Sequence, residues 1–312
     1  MNRKKKSILR KISNSILYFL LIITITIVRL IPYKFAIRIG RLLGAFCFHI
    51  VRIRRSVVLK NLDIAFGNSK TEKEKLQIAK NSYVNFVTTV VEIIKIPHMK
   101  PEFIKGIVKI DEFDKVENLR GNDKKGNFIV LTAHLNNWEL SGAYFAQIGY
   151  SLCVIAKPIH NQNVDTLLNN TRRRLGYEVF LSDGSLKEII RKAKEGKIIC
   201  FLADQDARRD GVFVDFFGTP ASTFEGPAVF MKMLDLPLIN IFIVRENIYK
   251  HKIIVKDIMY FPKDKDKDEA IKEITQRHTK ILEEVIKEYP DQYFWFHKRW
   301  KTQSDKKINF YQ

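Results

Sequence analysis

The chain has 312 residues, 46% of them hydrophobic and 12% aromatic, enough to bury a full core and too apolar for a disordered protein. Its 54 Lys and Arg against 34 Asp and Glu leave a net charge of +20, which points to an anionic partner, either nucleic acid or an acidic membrane surface. Three scattered cysteines, Cys47, Cys153 and Cys200, form neither CxxC nor a metal-binding spacing and read as reduced core thiols of the cytosol.

The N-terminus favours the membrane. "MNRKKKSILRK" leads into 17 uncharged residues, Ile12 to Val28, at the lower limit for a spanning helix. No small-residue cleavage site follows, so the segment is not a removable signal. Arg29, Lys34, Arg38, Arg41, Arg52, Arg54 and Arg55 lie beyond it, so both flanks are positive and the orientation stays open. Residues 1–32 are expected to be a basic segment and hydrophobic membrane-anchor helix, spanning the bilayer or lying in the leaflet. Residues 33–104 read as a helical membrane-proximal region. Nucleic acid is disfavoured, because there is no recognition helix, RNP-type aromatic pair or zinc-finger spacing.

Within that region "TEKEKLQIAKNSYVNFVTTVVEIIKI" opens on a threonine cap with acids in its first turn, and Pro97 closes it. From residue 105 the texture changes. "GIVKI", "NFIVLTA", "SLCVIA", "YEVFL", "KIICFLAD", "LPLINIFIV" and "HKIIVKDI" read as strands, with helical stretches in most of the intervals. That alternation predicts an α/β core over 105–302, a mainly parallel central sheet wrapped by helices. "FPKDKDKDEA" reads as a charged linker into a last amphipathic helix, and residues 303–312 as a loose tail.

In such a sheet ligands bind beyond the carboxyl ends of the strands. Two of those ends carry polar groups: His134 after "FIVLTA", and Asp204-Gln205-Asp206 after "IICFLA". His134 belongs to a His-x4-acid pattern that occurs three times, at His134/Glu139, His160/Asp165 and His278/Glu283. His278 and Glu283 are five apart on a helix and point apart, so they read as surface groups. His160 follows Pro158 and is not delivered directly by a strand. His134 is the candidate general base, with Glu139 as the acid that orients it. G-x-S-x-G is absent and no cysteine lies near in sequence, so the base would act on a substrate hydroxyl, as in acyl transfer from a thioester. The alternative for this stretch is a loop histidine bonded to a nearby helix cap.

Several blocks in order resemble the lipid A biosynthesis late acyltransferases, the lauroyl/myristoyl transferases of Gram-negative inner membranes and part of the wider glycerolipid acyltransferase-like superfamily. They are "RRSVVLKNLDIAF", "AHLNNWELSG", "TRRRLGYEVF", "FLADQDARRDGVFVDFFGTPASTFEGPAVF" and "YPDQYFWFHKRWK", spread over residues 15 to 301. Gly67-Asn68 departs from the pattern, where these proteins often have a proline. The resemblance implies a catalytic dyad at His134 and Glu139, and arginines serving the site at Arg172 and Arg174. It also implies an Asp-Gln strand end at Asp204 and Gln205. Glu225 and Gly226 resemble the Glu-Gly of glycerolipid acyltransferases, at the start of a helix whose amides suit an anion. "FWFHKRW" reads equally as binding cluster or as core. Acyl carrier protein is the expected donor and a lipid A precursor the acceptor, at the cytoplasmic side of a bacterial inner membrane, with no metal or other cofactor. The alternatives are acyl-CoA as donor, another glycolipid as acceptor, or a basic binding module without chemistry. A metal hydrolase lacks H-E-x-x-H or a Cys/His cluster.

Overall fold

The computed structural model describes residues 18–121, 126–156, 161–181, 186–305 and 307–311. A helical region comes first: α1 (18–30), α2 (Tyr33–Phe46) ending in a π-helical turn, α3 (Arg55–Phe66), α4 (Glu72–Lys95) and α5 (Pro101–Ile107). Strands and helices then alternate: β1 (Val108–Asp111), α6 (Phe113–Arg120), β2 (Ile129–Thr132), α7 (Trp138–Gln147), β3 (Leu152–Ala156), α8 (Gln162–Arg174), β4 (Glu178–Leu181), α9 (Leu186–Lys194) and β5 (Ile198–Leu202). The chain closes with β6 (Val212–Phe216), β7 (Thr219–Thr223), α10 (Gly226–Leu234), β8 (Leu238–Arg245), β9 (His251–Met259) and α11 (Lys267–Glu288).

Seven strands form one sheet in the order β1-β9-β8-β2-β5-β3-β4, parallel except where β8 meets β9. These are the seven strands expected from the sequence, in the mainly parallel architecture expected. Side chains alternate between its faces. Leu131, Phe201 and Phe242 pack with Leu62 of α3, Leu282 of α11 and the C-terminal Trp295 and Trp300. On the other face Ile198, Cys200 and Ile241 meet Leu140 and Phe145 of α7 and Tyr177.

α3 and much of α4 share the first of these cores, α5 joins the second, and Ala36 and Ile37 of α2 pack with Val91 of α4 in a small cluster of their own. Thr71 and Glu74 form the expected capping box at the start of α4, and α4 ends at Lys95, just before Pro97. Tucked against α4, α2 turns Ala36, Ile37, Gly40 and Gly44 inward. A side chain at Gly44 would meet the Val84 Cα at 2.5 Å, so the two backbones touch there only because the residue is glycine. The outward face of α2 and the turn after it exposes Phe35, Leu42, Phe46, Ile50 and Ile53 beside Arg38, Arg41 and Arg52.

Four expectations change. No helix among the described residues is long and apolar enough to cross a membrane, and residues 1–17, with the basic start of the expected anchor, lie outside the described residues. The tail is not loose over 307–311: the Tyr311 hydroxyl donates to Asn61 Oδ1 at 2.5 Å and accepts from the Trp300 amide at 3.1 Å. An unexpected hairpin, β6–β7, turns at Phe217 and Gly218, both with positive φ, and lies over α11. That hairpin explains the fourth change. Glu283 accepts from the Phe217 amide at 2.8 Å and is buried under the hairpin, while His278 is buried toward the sheet, so neither is a surface group.

Candidate active site

β2 and β5 pair in parallel with Thr132 opposite Leu202. His134 and Asp204 each lie two residues past that pair, so the register brings them level at the carboxyl edge of the sheet. His134 Nδ1 meets Asp204 Oδ1 at 2.8 Å. The imidazole is 22% exposed and the carboxylate 2%, and the contact uses Nδ1 rather than Nε2. Burial pushes the Asp204 carboxyl up, but the charge and hydrogen bonding of His134 outweigh it and hold Asp204 below its ordinary value. Trp138 stands edge-on to the imidazole at 4.8 Å between centroids.

The loop carrying His134 is clamped from two sides. The Phe294 amide donates to His134 O at 3.0 Å, and the Asn136 amide donates to Gln292 O at 2.8 Å. Asn136 takes a left-handed φ of 48° and donates through Nδ2 to Gln292 Oε1 at 2.6 Å. Asn137 caps α7 by accepting from the Leu140 amide at 3.0 Å, and donates to Glu92 Oε2 at 3.0 Å. Glu92, fully buried on α4, is gripped by both terminal nitrogens of Arg245, at 2.9 and 2.7 Å. A strand-end histidine on an unsupported loop would wander; this one is fixed to α4, β8 and the C-terminal segment.

Among the described residues Glu139 makes no side-chain hydrogen bond to His134. Its carboxylate accepts from Arg172 Nε at 3.1 and 3.2 Å, from Arg172 NH2, and from the Tyr177 hydroxyl at 2.6 Å. Position explains the difference: Glu139 lies in the first turn of α7 and faces α8, across from the loop where the histidine stands. Burial raises its carboxyl, and the Arg172 charge with bonds from Arg172, Tyr177 and Trp138 brings it below the ordinary value. Glu139 and Arg172 also line an apolar cavity bounded by Val130, Phe145, Val154 and Cys200. The cavity runs beneath the sheet, with strand residues from Phe128 to Thr132 along one side.

The remaining expected residues do not converge on the imidazole. Arg174 is exposed at the end of α8, where its charge helps to depress Arg29 and His98 after burial does. Gln205 and Glu225 are half-buried, and among the described residues neither makes a side-chain hydrogen bond to the His134–Asp204 pair. Gly226 opens α10, with Glu225 at the cap position and no side-chain cap. His160 lies outside the described residues. Trp295 and Trp300 of "FWFHKRW" are fully buried core, so packing accounts for the tryptophans of that cluster.

Sequence reasoning missed Asn61, whose Nδ2 donates to Trp295 O at 2.7 Å and His297 O at 2.6 Å, and Arg54, which donates to Phe296 O at 2.9 Å. A buried polar residue in the apolar run "VVLKNLDIAF" was the available signal. Gln292 stands in the block "YPDQYFWFHKRWK", with no role expected of it there.

The model of the bacterial lipid A biosynthesis acyltransferase family matches residues 3–302. The chain is 23% identical over 276 residues to the lipid A biosynthesis palmitoleoyltransferase of Escherichia coli K12, covering 87% of each chain. It is 25% identical over 288 residues to the myristoyltransferase of the same organism, covering 91% of this chain and 86% of that one. A phosphatidylinositol mannoside acyltransferase of Mycobacterium tuberculosis is 28% identical over 104 residues, about a third of each chain (32% and 33%). With the family model spanning nearly its whole length, this chain belongs to the bacterial lipid A biosynthesis acyltransferase family and is an acyltransferase.

Proposed function

We propose that the protein transfers a fatty acyl group from the thioester of acyl carrier protein to a hydroxyl of a lipid A precursor, with His134 as general base and Asp204 as its orienter. The observation that carries this reading is the His134–Asp204 contact at the carboxyl edge of the sheet, with Trp138, which touches the imidazole, in the wall of an apolar cavity. Asp204 fixes Nδ1 as the protonated nitrogen, leaving Nε2 to accept a proton. The acceptor hydroxyl gives its proton to Nε2 as its oxygen bonds to the thioester carbonyl carbon. The C–S bond then breaks, and the imidazolium returns the proton to the departing sulfur. The products are an ester and a free carrier thiol.

The cavity supplies the acyl side of the reaction. Its wall is mostly apolar, and the Glu139–Arg172 pair within it has charges already satisfied by each other. A buried acid held by a guanidinium is a poor proton acceptor, so Glu139 shapes the cavity. The exposed apolar face of α2, flanked by arginines, lies on the anionic membrane where the glycolipid acceptor resides. Replacing Leu42 and Phe46 by Ser should then weaken vesicle binding, by about 1.5–3 kcal/mol for each side chain at full burial. The acceptor is open to a second reading, because a relative matching a third of this chain is a phosphatidylinositol mannoside acyltransferase.

The test is transfer from acyl carrier protein to a lipid A precursor in vesicles, read by mass spectrometry of the glycolipid. His134→Ala should lose about 10²–10⁴-fold in rate. A His134→Ala enzyme with near-normal transfer would refute the base assignment. An active enzyme that ignores every lipid A precursor would move the acceptor.

A further inference from the structure

Behind Asp204, on the face of the sheet opposite the apolar cavity, lies a second cavity the size of one water molecule. Its wall includes Asp204, Asn240, His278, Thr279 and Arg299. Asp204 is 4% exposed, Asn240 0%, His278 4% and Arg299 3%. Three polar atoms on these residues have no hydrogen-bond partner among the described residues: Asn240 Oδ1, His278 Nε2 and Arg299 Nε. Thr279 is satisfied by Thr275 O at 2.7 Å, and the other two nitrogens of Arg299 by Ser222 O and Thr223 Oγ1. Buried polar groups are nearly always paired, so three orphans around one small cavity mark a binding place with both donor and acceptor demands. Water meets them. One water could accept from Arg299 Nε and from a neutral His278 carrying its proton on Nε2, and donate to Asn240 Oδ1 and to the Asp204 carboxylate. An asparagine in the apolar strand "LINIFIV" has its reason here.

We propose that Arg299 is a positioning residue for the His134–Asp204 pair, acting from the far face of the sheet through one water bound among Arg299, Asn240, His278 and Asp204. This rests on the reading of His134 as the base. The charged and titratable groups around Asp204 are His134 at the end of β2, His278 on α11, Tyr293, His297 and Arg299 on the C-terminal segment, and Asp206 two residues on. Burial pushes His278 down to about 3 and His297 to about 4, so both are neutral at working pH. Arg299 is therefore the permanent cation of this set. Its charge, interacting with Asp204, favours the ionised carboxylate that holds His134 Nδ1.

The test is the pH dependence of kcat/KM in the full-length enzyme. Arg299→Met should move the acid limb to higher pH by about one unit, because a nearby cation has been removed. Arg299→Lys should restore most of the limb, since it keeps the charge. A folded Arg299→Met enzyme with an unmoved limb overturns the proposal. If Arg299→Met does not fold, a high-resolution crystal structure of the wild type decides. Water density within hydrogen-bond distance of Arg299 Nε and the Asp204 carboxylate supports the proposal, and an empty cavity overturns it. His134→Ala in the same assay separates the two readings. If that variant is active the base assignment fails, whereas an inactive His134→Ala beside an unmoved Arg299→Met limb removes only the role of Arg299.

Discussion

Asp204 and Glu139 are both buried acids near the His134 loop, and both are held below the ordinary carboxyl range. Their partners set them apart. Glu139 faces Arg172 and Tyr177, a cation and a hydroxyl that cannot relay a proton usefully at neutral pH. Asp204 faces a partly exposed imidazole through its Nδ1. One acid therefore joins α7 to α8, and in the proposed mechanism the other orients the base. The two faces of the sheet differ in the same sense, with an apolar cavity beside Glu139 and a polar chamber behind Asp204.

The sharpest way to break this contrast is to neutralise each acid in turn. Asp204→Asn should lower kcat by about 10²–10⁴-fold while unfolding stays close to wild type, because the amide favours the wrong imidazole tautomer. Glu139→Gln should instead act on stability, costing about 3–5 kcal/mol in denaturant unfolding, because Arg172 is left buried without its counter-charge. The pH dependence carries a sign. Glu139 has a depressed folded value, so its contribution is fully present above the ordinary 4.5 and is lost as pH falls through the lower folded value. The Gln variant should lack that loss, which chemical unfolding at several pH values will show.

His278 sharpens the other side of the contrast. It is buried neutral and pushed down to about 3 from an ordinary 6.5. The unfolded chain therefore binds a proton that the folded chain refuses, and stability should fall as pH drops from about 6.5 toward about 3. His278→Gln should flatten that slope, an effect on the order of a few kcal/mol across the window. A smaller effect is expected at the apolar cavity. Val130→Phe narrows it and should shift preference toward shorter acyl chains by about tenfold, read as the ratio of products from competing donors.

Much of the fold was legible because its strands are apolar runs cut by turns and because Thr71 and Glu74 advertise a helix start. The hairpin β6–β7 was not. Its turn is Phe217-Gly218 in place of the usual Asn-Gly, and the Phe217 amide is held by Glu283, 66 residues further along. The burial of His278 and Glu283 was hidden for a related reason, since α11 is covered on one side by that hairpin and on the other by the sheet. His134 was legible as a polar residue ending a dry strand. Its partner was not, because spacing along the chain offers Glu139 while strand pairing offers Asp204. β2 pairs with β5 only after the chain has laid down β3 and β4, and that adjacency is a property of topology.

The central claim is that His134 and Asp204 act as one unit and Glu139 stands apart. A double-mutant cycle on kcat/KM tests it directly. In a His134→Ala background, Asp204→Asn should cost little further activity, because the unit is already broken. Glu139→Gln should cost about the same in both backgrounds. An Asp204→Asn loss that is as large without His134 as with it, together with a Glu139→Gln loss that vanishes without His134, would contradict the account and return the orienting role to Glu139.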